Sequence, residues 1–312
     1  MTTENKDKLV GKSVETVFFG DTKSQLEAFW KLGSLGELGS ATQIELPEKA
    51  FVYVQTKRDE SDLTGKEYGA MLGFDANGVS IYNERESRKS IRDFVGNSFV
   101  NTMELSVEYG NIVETSVGRF FKKTDPILFH THVTLGENDI KSAQIGLSDG
   151  TTLKISQEAI IKYVSYQIEG FSSADLDNLF SRNRETASLL LSTPTRTIYV
   201  APPELFVNKG YTKFSKFLKE YEDQMLTLDL AASISLLGLE PDFYFDSLKK
   251  SQKRIFLKII DDAKYMAKRK PGLAKLMDMK DAILVKIMNS AGFQVFASEG
   301  DDKKVLKRLK NN

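Results

Sequence analysis

Cysteine is absent from all 312 residues, which removes thiol nucleophiles, disulfides, iron–sulfur clusters and Cys-ligated zinc from consideration. Any bound metal must use His, Asp or Glu. Glycine and proline are also sparse, 21 and 7 residues, so a collagen-like or low-complexity chain is excluded. The most apolar run, Leu230 to Leu239, is about half a membrane span. The polar start MTTENKDKLVGKS has no apolar signal-peptide core. These absences lead us to expect a cytoplasmic protein with no membrane partner.

What remains is a chain that is 41% hydrophobic and 28% charged, enough apolar residues to build a core and, at roughly 150 residues per domain, long enough for about two domains. Lys/Arg and Asp/Glu balance at 43 each. The balance hides an asymmetry, because residues 241–312 carry 17 basic against 9 acidic side chains. A basic surface of this kind can serve an anionic partner such as nucleic acid. The alternative is the solvated face of an amphipathic helix, with Lys249, Lys250, Lys253 and Arg254 opposite Leu248, Ile255 and Phe256.

Residues 1–43 read as an N-terminal extension with a short helix near Gln25–Leu32. From 44 to 165 the pattern is mixed α/β. An apolar-periodic stretch (Ile44, Ala50, Phe51, Val54) precedes a hairpin over Ala70–Phe74 and Val79–Tyr82, joined by the turn composition Asp75-Ala-Asn-Gly78. A strand over Phe99–Val107 and a helix through Ile112–Phe121 follow. Ile127-Leu-Phe-His-Thr-His-Val133 predicts a buried strand, being short, apolar and placed after a proline. Asp139–Leu147 reads as a short helix and Thr151–Ile155 as a strand. Residues 166–203 read as a connecting segment. Residues 204–312 are expected to form a helical accessory domain, with helices at about 212–237, from Pro241, and over 273–289, packed through Phe217, Leu218, Tyr221, Leu248, Ile255, Phe256, Leu276 and Ile283.

The only two histidines stand two residues apart, His130-Thr-His132. Alternate strand residues share a face, so both imidazoles can grip one metal ion. A catalytic zinc needs a third protein ligand and keeps its fourth position for water. Asp139, seven residues past His132 at the head of the expected helix, can supply it, although an Asp there is equally a helix cap. Asp149 is a second candidate if the loop is longer.

These residues resemble the JAMM (MPN+) metalloprotease family, also called JAB domains. That family has a Glu in E-x-G-x-x-x-G, an H-x-H strand, then seven residues and S-x-x-D. Glu67-Tyr-Gly69-Ala-Met-Leu-Gly73 stands 63 residues before His130, and Ile44-Glu-Leu-Pro-Glu-Lys-Ala-Phe is similar to the start of the family's first helix. The likeness covers about 44–165. It implies a layered α/β domain, here followed by an all-α region, with zinc on His130, His132 and Asp139. Glu67 is then the general base, and the substrate is a peptide or an isopeptide to a ubiquitin-like modifier. With Asp139 as the aspartate, the intervening segment is four residues short and Gly136 falls where the family has its oxyanion-binding Ser. The competing reading is a catalytically degenerate scaffold of the same type in a multi-protein assembly.

Overall fold

Alternation along the strands decides the layers of this molecule. The computed structural model describes residues 16–18, 42–75, 78–87, 127–135, 137–139, 143–146, 152–173, 175–176, 188–201, 214–239, 250–299 and 302–310. The expected elements at Gln25–Leu32, Phe99–Val107 and Ile112–Phe121, together with Gly136, Asp149 and Leu248, lie outside these residues, as do the side chains of Ile255 and Phe256.

The chain is mixed α/β. Strands β1 (Thr16–Phe18) and β2 (Gln43–Glu45) pair in parallel, and helix α1 (Glu48–Thr64) follows. It ends on Gly65, whose φ of 70° is the left-handed cap that glycine accepts without steric cost. The expected hairpin forms as β3 (Tyr68–Asp75) and β4 (Gly78–Glu86), and the buried strand as β5 (Ile127–Thr131). A separate two-stranded sheet, β6 (Ala143–Gly146) with β7 (Thr152–Ile155), leads into helix α2 (Gln157–Ile168), capped by the Ser156 hydroxyl accepting from the Ala159 N–H at 3.2 Å. Strands β8 (Ser188–Ser192) and β9 (Thr197–Ala201) precede helices α3 (Phe214–Ala232), α4 (Lys250–Lys268) and α5 (Leu273–Ser290). Strands β10 (Gln294–Glu299) and β11 (Asp302–Arg308) complete the order.

Among the described residues nine strands form one mixed sheet in the order β1-β2-β11-β10-β9-β8-β5-β3-β4. Ile127, Phe129, Leu190, Tyr199 and Phe296 face α1, where Ala50 and Val54 cover them. Their neighbours Leu128, Leu189, Leu191, Ile198 and Val295 face the other way, against Tyr221 and Met225 of α3 and Leu284, Val285 and Met288 of α5. The period of two thus feeds two cores from one set of strands. A third core joins α2, through Ile160, Tyr163 and Val164, to Leu228, Ala263 and Leu276. No described helix is long and apolar enough to cross a membrane.

Three expectations need correction. Among the described residues of the stretch expected as a helix over 139–147 there is none: Glu137–Asp139 is a single 3-10 turn and Ala143–Gly146 is β6. One isolated helical turn has too few hydrogen bonds to offset its nucleation cost, whereas pairing with β7 supplies a ladder. The C-terminal region is not all-α. Helices α3 and α5 form where the periodicity predicted them and α4 lies within the second expected helix, whose start at Pro241 is outside the described residues, but residues 294–308 carry strands inserted between β2 and β9. Val295, Phe296 and Ala297 lie in both cores because they alternate across the sheet. Finally, residues 166–203 are no mere connection, since they place β8 and β9 in the middle of the sheet.

Candidate metal centre

Strand β5 aims its residues by parity. Thr131 turns toward α1, where its hydroxyl accepts from the Tyr68 N–H (2.9 Å) and donates to Ser61 Oγ (3.3 Å). His130 therefore points to the opposite face, beside Phe171 (ring centroids 6.4 Å apart), and His132 follows on the same side with its ring 5.1 Å from that of His130. Because β5 and β8 are parallel, the chain must make a long crossover between them. That crossover carries β6, β7, α2 and a tight turn starting at Ser172.

The turn brings in Asp175. The Oδ1 of Asp175 lies 3.2 Å from His130 Nε2, and ligand atoms of His130, His132 and Asp175 all fall within 4.8 Å of one another. These three residues could hold a metal ion. Asp139, expected as the third ligand, stands on the 3-10 turn and is not in this group. Ser172 and Asp175 cap each other: Asp175 Oδ2 accepts from the Ser172 N–H (2.6 Å) and hydroxyl (2.8 Å), while Ser172 Oγ accepts from the Asp175 N–H (3.3 Å). One carboxylate oxygen is thus committed to the turn, and the other faces the imidazoles.

The polar atoms fit a cation. His130 Nε2 is buried and lies 3.2 Å from Asp175 Oδ1, close enough for the two to attract as an ion pair. The His132 Nδ1 meets the Ile168 carbonyl at 2.6 Å, and this assigns its proton to Nδ1 and leaves Nε2 as the donor atom. The backbone of His132 is held too, its N–H donating to Ser192 O (2.9 Å) and its carbonyl accepting from the buried Arg58 guanidinium, which also grips Asp62 and Thr134 Oγ1.

The electrostatics separate the two imidazoles. Burial, reinforced by the neighbouring His130, pushes the His132 pKa down to about 4, so its imidazole is neutral near pH 7. Burial opposes ionisation of Asp175, but His130 and the Ser172 N–H outweigh it and hold the carboxyl well below its ordinary range. At His130 burial disfavours the imidazolium, yet Asp175 and then Glu67 raise its pKa on balance. Glu67 precedes β3, whose Gly69 pairs with His130, and its main chain is locked to Ser87 (N–H to Oγ 3.2 Å, carbonyl from N–H 2.8 Å). Burial raises its carboxyl to about 8, with His130 opposing and Asp175 adding to the rise. Glu67 therefore couples electrically to the group without being one of its three ligands.

Asp175 was missed because 39 residues separate His132 from Ser172. The signal was present: Ser172-Ser-Ala-Asp175 has the S-x-x-D spacing, which is also a helix-start signature. Between α2 and this turn, Gly170 has φ +135°, and a Cβ there would lie 3.1 Å from Lys280 Cε. Gly170→Ala is expected to cost roughly 1–3 kcal/mol from backbone strain alone, read as a lower midpoint in chemical denaturation. The chain matches no protein-family model, no curated protein and no solved structure.

Proposed function

We propose that this protein is a zinc-dependent hydrolase of peptide or isopeptide bonds, with His130, His132 and Asp175 as ligands and Glu67 as general base. The observation that carries the reading is that ligand atoms of two same-face imidazoles and a carboxylate lie within 4.8 Å of one another, beside a carboxyl that burial pushes up to about 8. The set of three protein ligands is that of a catalytic rather than a structural zinc site. A zinc ion in such a set supplies a Lewis acid and makes water nucleophilic at neutral pH.

The chain's own groups do the rest. Glu67 accepts a proton from the attacking water and delivers it to the leaving amine, a role suited to a carboxyl displaced toward neutral pH. Ser172 fixes Asp175, its single hydroxyl proton being donated to Oδ2, and so holds the carboxylate's other oxygen toward the imidazoles. Support also comes from the resemblance for Glu67, His130 and His132; Ser172 and Asp175 share the S-x-x-D spacing but lie beyond the 44–165 stretch that the likeness covers. The substrate class, a protein or peptide that can carry a ubiquitin-like conjugate, follows from that resemblance.

Purified protein should contain close to one zinc per chain, removable by chelator, and should cleave peptides or ubiquitin-like fusions only when zinc is present. Absence of any stoichiometric divalent metal after zinc reconstitution sinks the reading and leaves the scaffold alternative.

A further inference from the structure

Helix α2 ends against α5 and the residue that follows β5, and its last carbonyls meet side chains from both. A helix leaves its final C=O groups without intrahelical partners, and a buried end must find others. Here the Glu169 N–H satisfies Ser165 O (3.1 Å). The next three carbonyls have no backbone partner described. Lys280, from the middle of α5 and 4% exposed, donates its Nζ to Tyr166 O (3.0 Å) and Gln167 O (3.1 Å). Ile168 O takes the His132 Nδ1 at 2.6 Å. One lysine and one candidate ligand therefore close the same helix end between them.

Several features hold the lysine in place. Its ammonium lies 5.1 Å from the centre of the Tyr166 ring, and that tyrosine is anchored by its hydroxyl to Asp229 (2.7 Å). Gly170 lacks a Cβ where the lysine stem passes. A cation at a helix C-terminus is favoured by the partial negative charge there. The residues that build this clamp lie in the crossover between His132 and Ser172 and in α5, so the clamp joins two parts of the chain that are far apart in sequence.

We propose that Lys280 is a positioning residue for the metal centre: by clamping the C-terminal carbonyls of α2 it holds Ile168 O where it keeps the His132 proton on Nδ1 and turns Nε2 toward the metal. The inference rests on the metal-site reading above. It explains why a lysine is buried in α5 rather than an apolar residue. Partners behind a ligating imidazole typically change metal affinity by roughly 10- to 100-fold.

The chain has only two histidines, so ¹⁵N-labelled imidazole NMR of chelator-treated protein resolves both. His132 should appear as the Nδ1–H tautomer in the wild type; an Nε2–H tautomer overturns the proposal without any variant being made. In Lys280→Met, which keeps the length of the stem, the tautomer should become mixed and the zinc Kd should rise roughly 10- to 100-fold, measured by competition with a chromophoric chelator. An unchanged zinc Kd and an unchanged tautomer in folded Lys280→Met overturn the role of the lysine while the metal reading stands. Should the wild type bind no zinc, the metal reading falls and this inference falls with it. If Lys280→Met does not fold, Lys280→Gln, which retains a donor to one carbonyl, takes its place under the same criteria.

Discussion

Asp175→Ala is expected to abolish stoichiometric zinc binding, while Asp139→Ala leaves it unchanged. The contrast is large because Asp175 offers an oxygen 3.2 Å from His130 Nε2 and belongs to the only three-residue group of this kind among the described residues, whereas Asp139 sits apart on the 3-10 turn. Removing one of three protein ligands leaves two imidazoles, too few for a tightly held catalytic zinc. The fold should survive, since the turn at 172–176 keeps the Leu176 N–H to Ser172 O bond (3.3 Å) and buried Leu176. Metal content by atomic emission after dialysis, with circular dichroism as the folding control, checks both variants. Equal zinc in wild type and Asp175→Ala would remove Asp175 from the site.

Glu67→Gln should retain zinc and fold but lower turnover by roughly 10²–10⁴, the usual worth of a positioned proton-transfer group. Gln is close in shape to the protonated Glu that burial favours, so little packing changes. The same substitution has a signature without substrate. In chelator-treated protein the Glu67 carboxyl is raised from its ordinary 4.5 to about 8, so between those values the folded state binds the proton that the unfolded state has released. Its contribution to stability is present below pH 4.5 and falls as pH rises through 8. His132, lowered from 6.5 to about 4, acts in the opposite sense, adding stability as pH rises from 4 to 6.5. His130, whose burial is outweighed by Asp175 and Glu67 so that its pKa lies above 6.5, loses stability in the same direction above that pH. Glu67→Gln should therefore reduce but not remove the decline in Tm between pH 6.5 and 8. A decline as steep as in the wild type would show that Glu67 is not the group responsible, and unchanged amide hydrolysis would show that it is not the base.

Local pattern made much of the fold legible. The short apolar run at 127–131, the turn composition at 75–78 and the 3.6-residue periodicity over 214–232 and 273–290 are signals carried by a few consecutive residues, and each produced the element it implies. The Gln294–Glu299 and Asp302–Arg308 strands were hidden for a different reason. Their partners β9 and β2 come from 201 and earlier, and a strand gains its stability from a neighbour that no local window contains. A basic, lysine-rich run then reads as part of a helical region, although Lys304 of β11 in fact bridges Glu45 of β2 (2.7 Å) and Glu48 of α1 (2.9 Å).

The candidate site divides along the same line. By itself the sequence determined that any metal must rest on His, Asp or Glu and that the two histidines share a face of one strand, because composition and strand parity are local properties, while Glu67 entered only through the family resemblance. Only the tertiary structure decided the third ligand and the tautomer of His132. Asp175 reaches His130 because a parallel β5–β8 pair forces a long crossover, and that crossover returns to the carboxyl end of β5 after building α2. The His132 proton is set by a helix end that Lys280 closes from another part of the chain. Spacing in sequence says nothing about distance once the chain between two residues has folded into elements of its own.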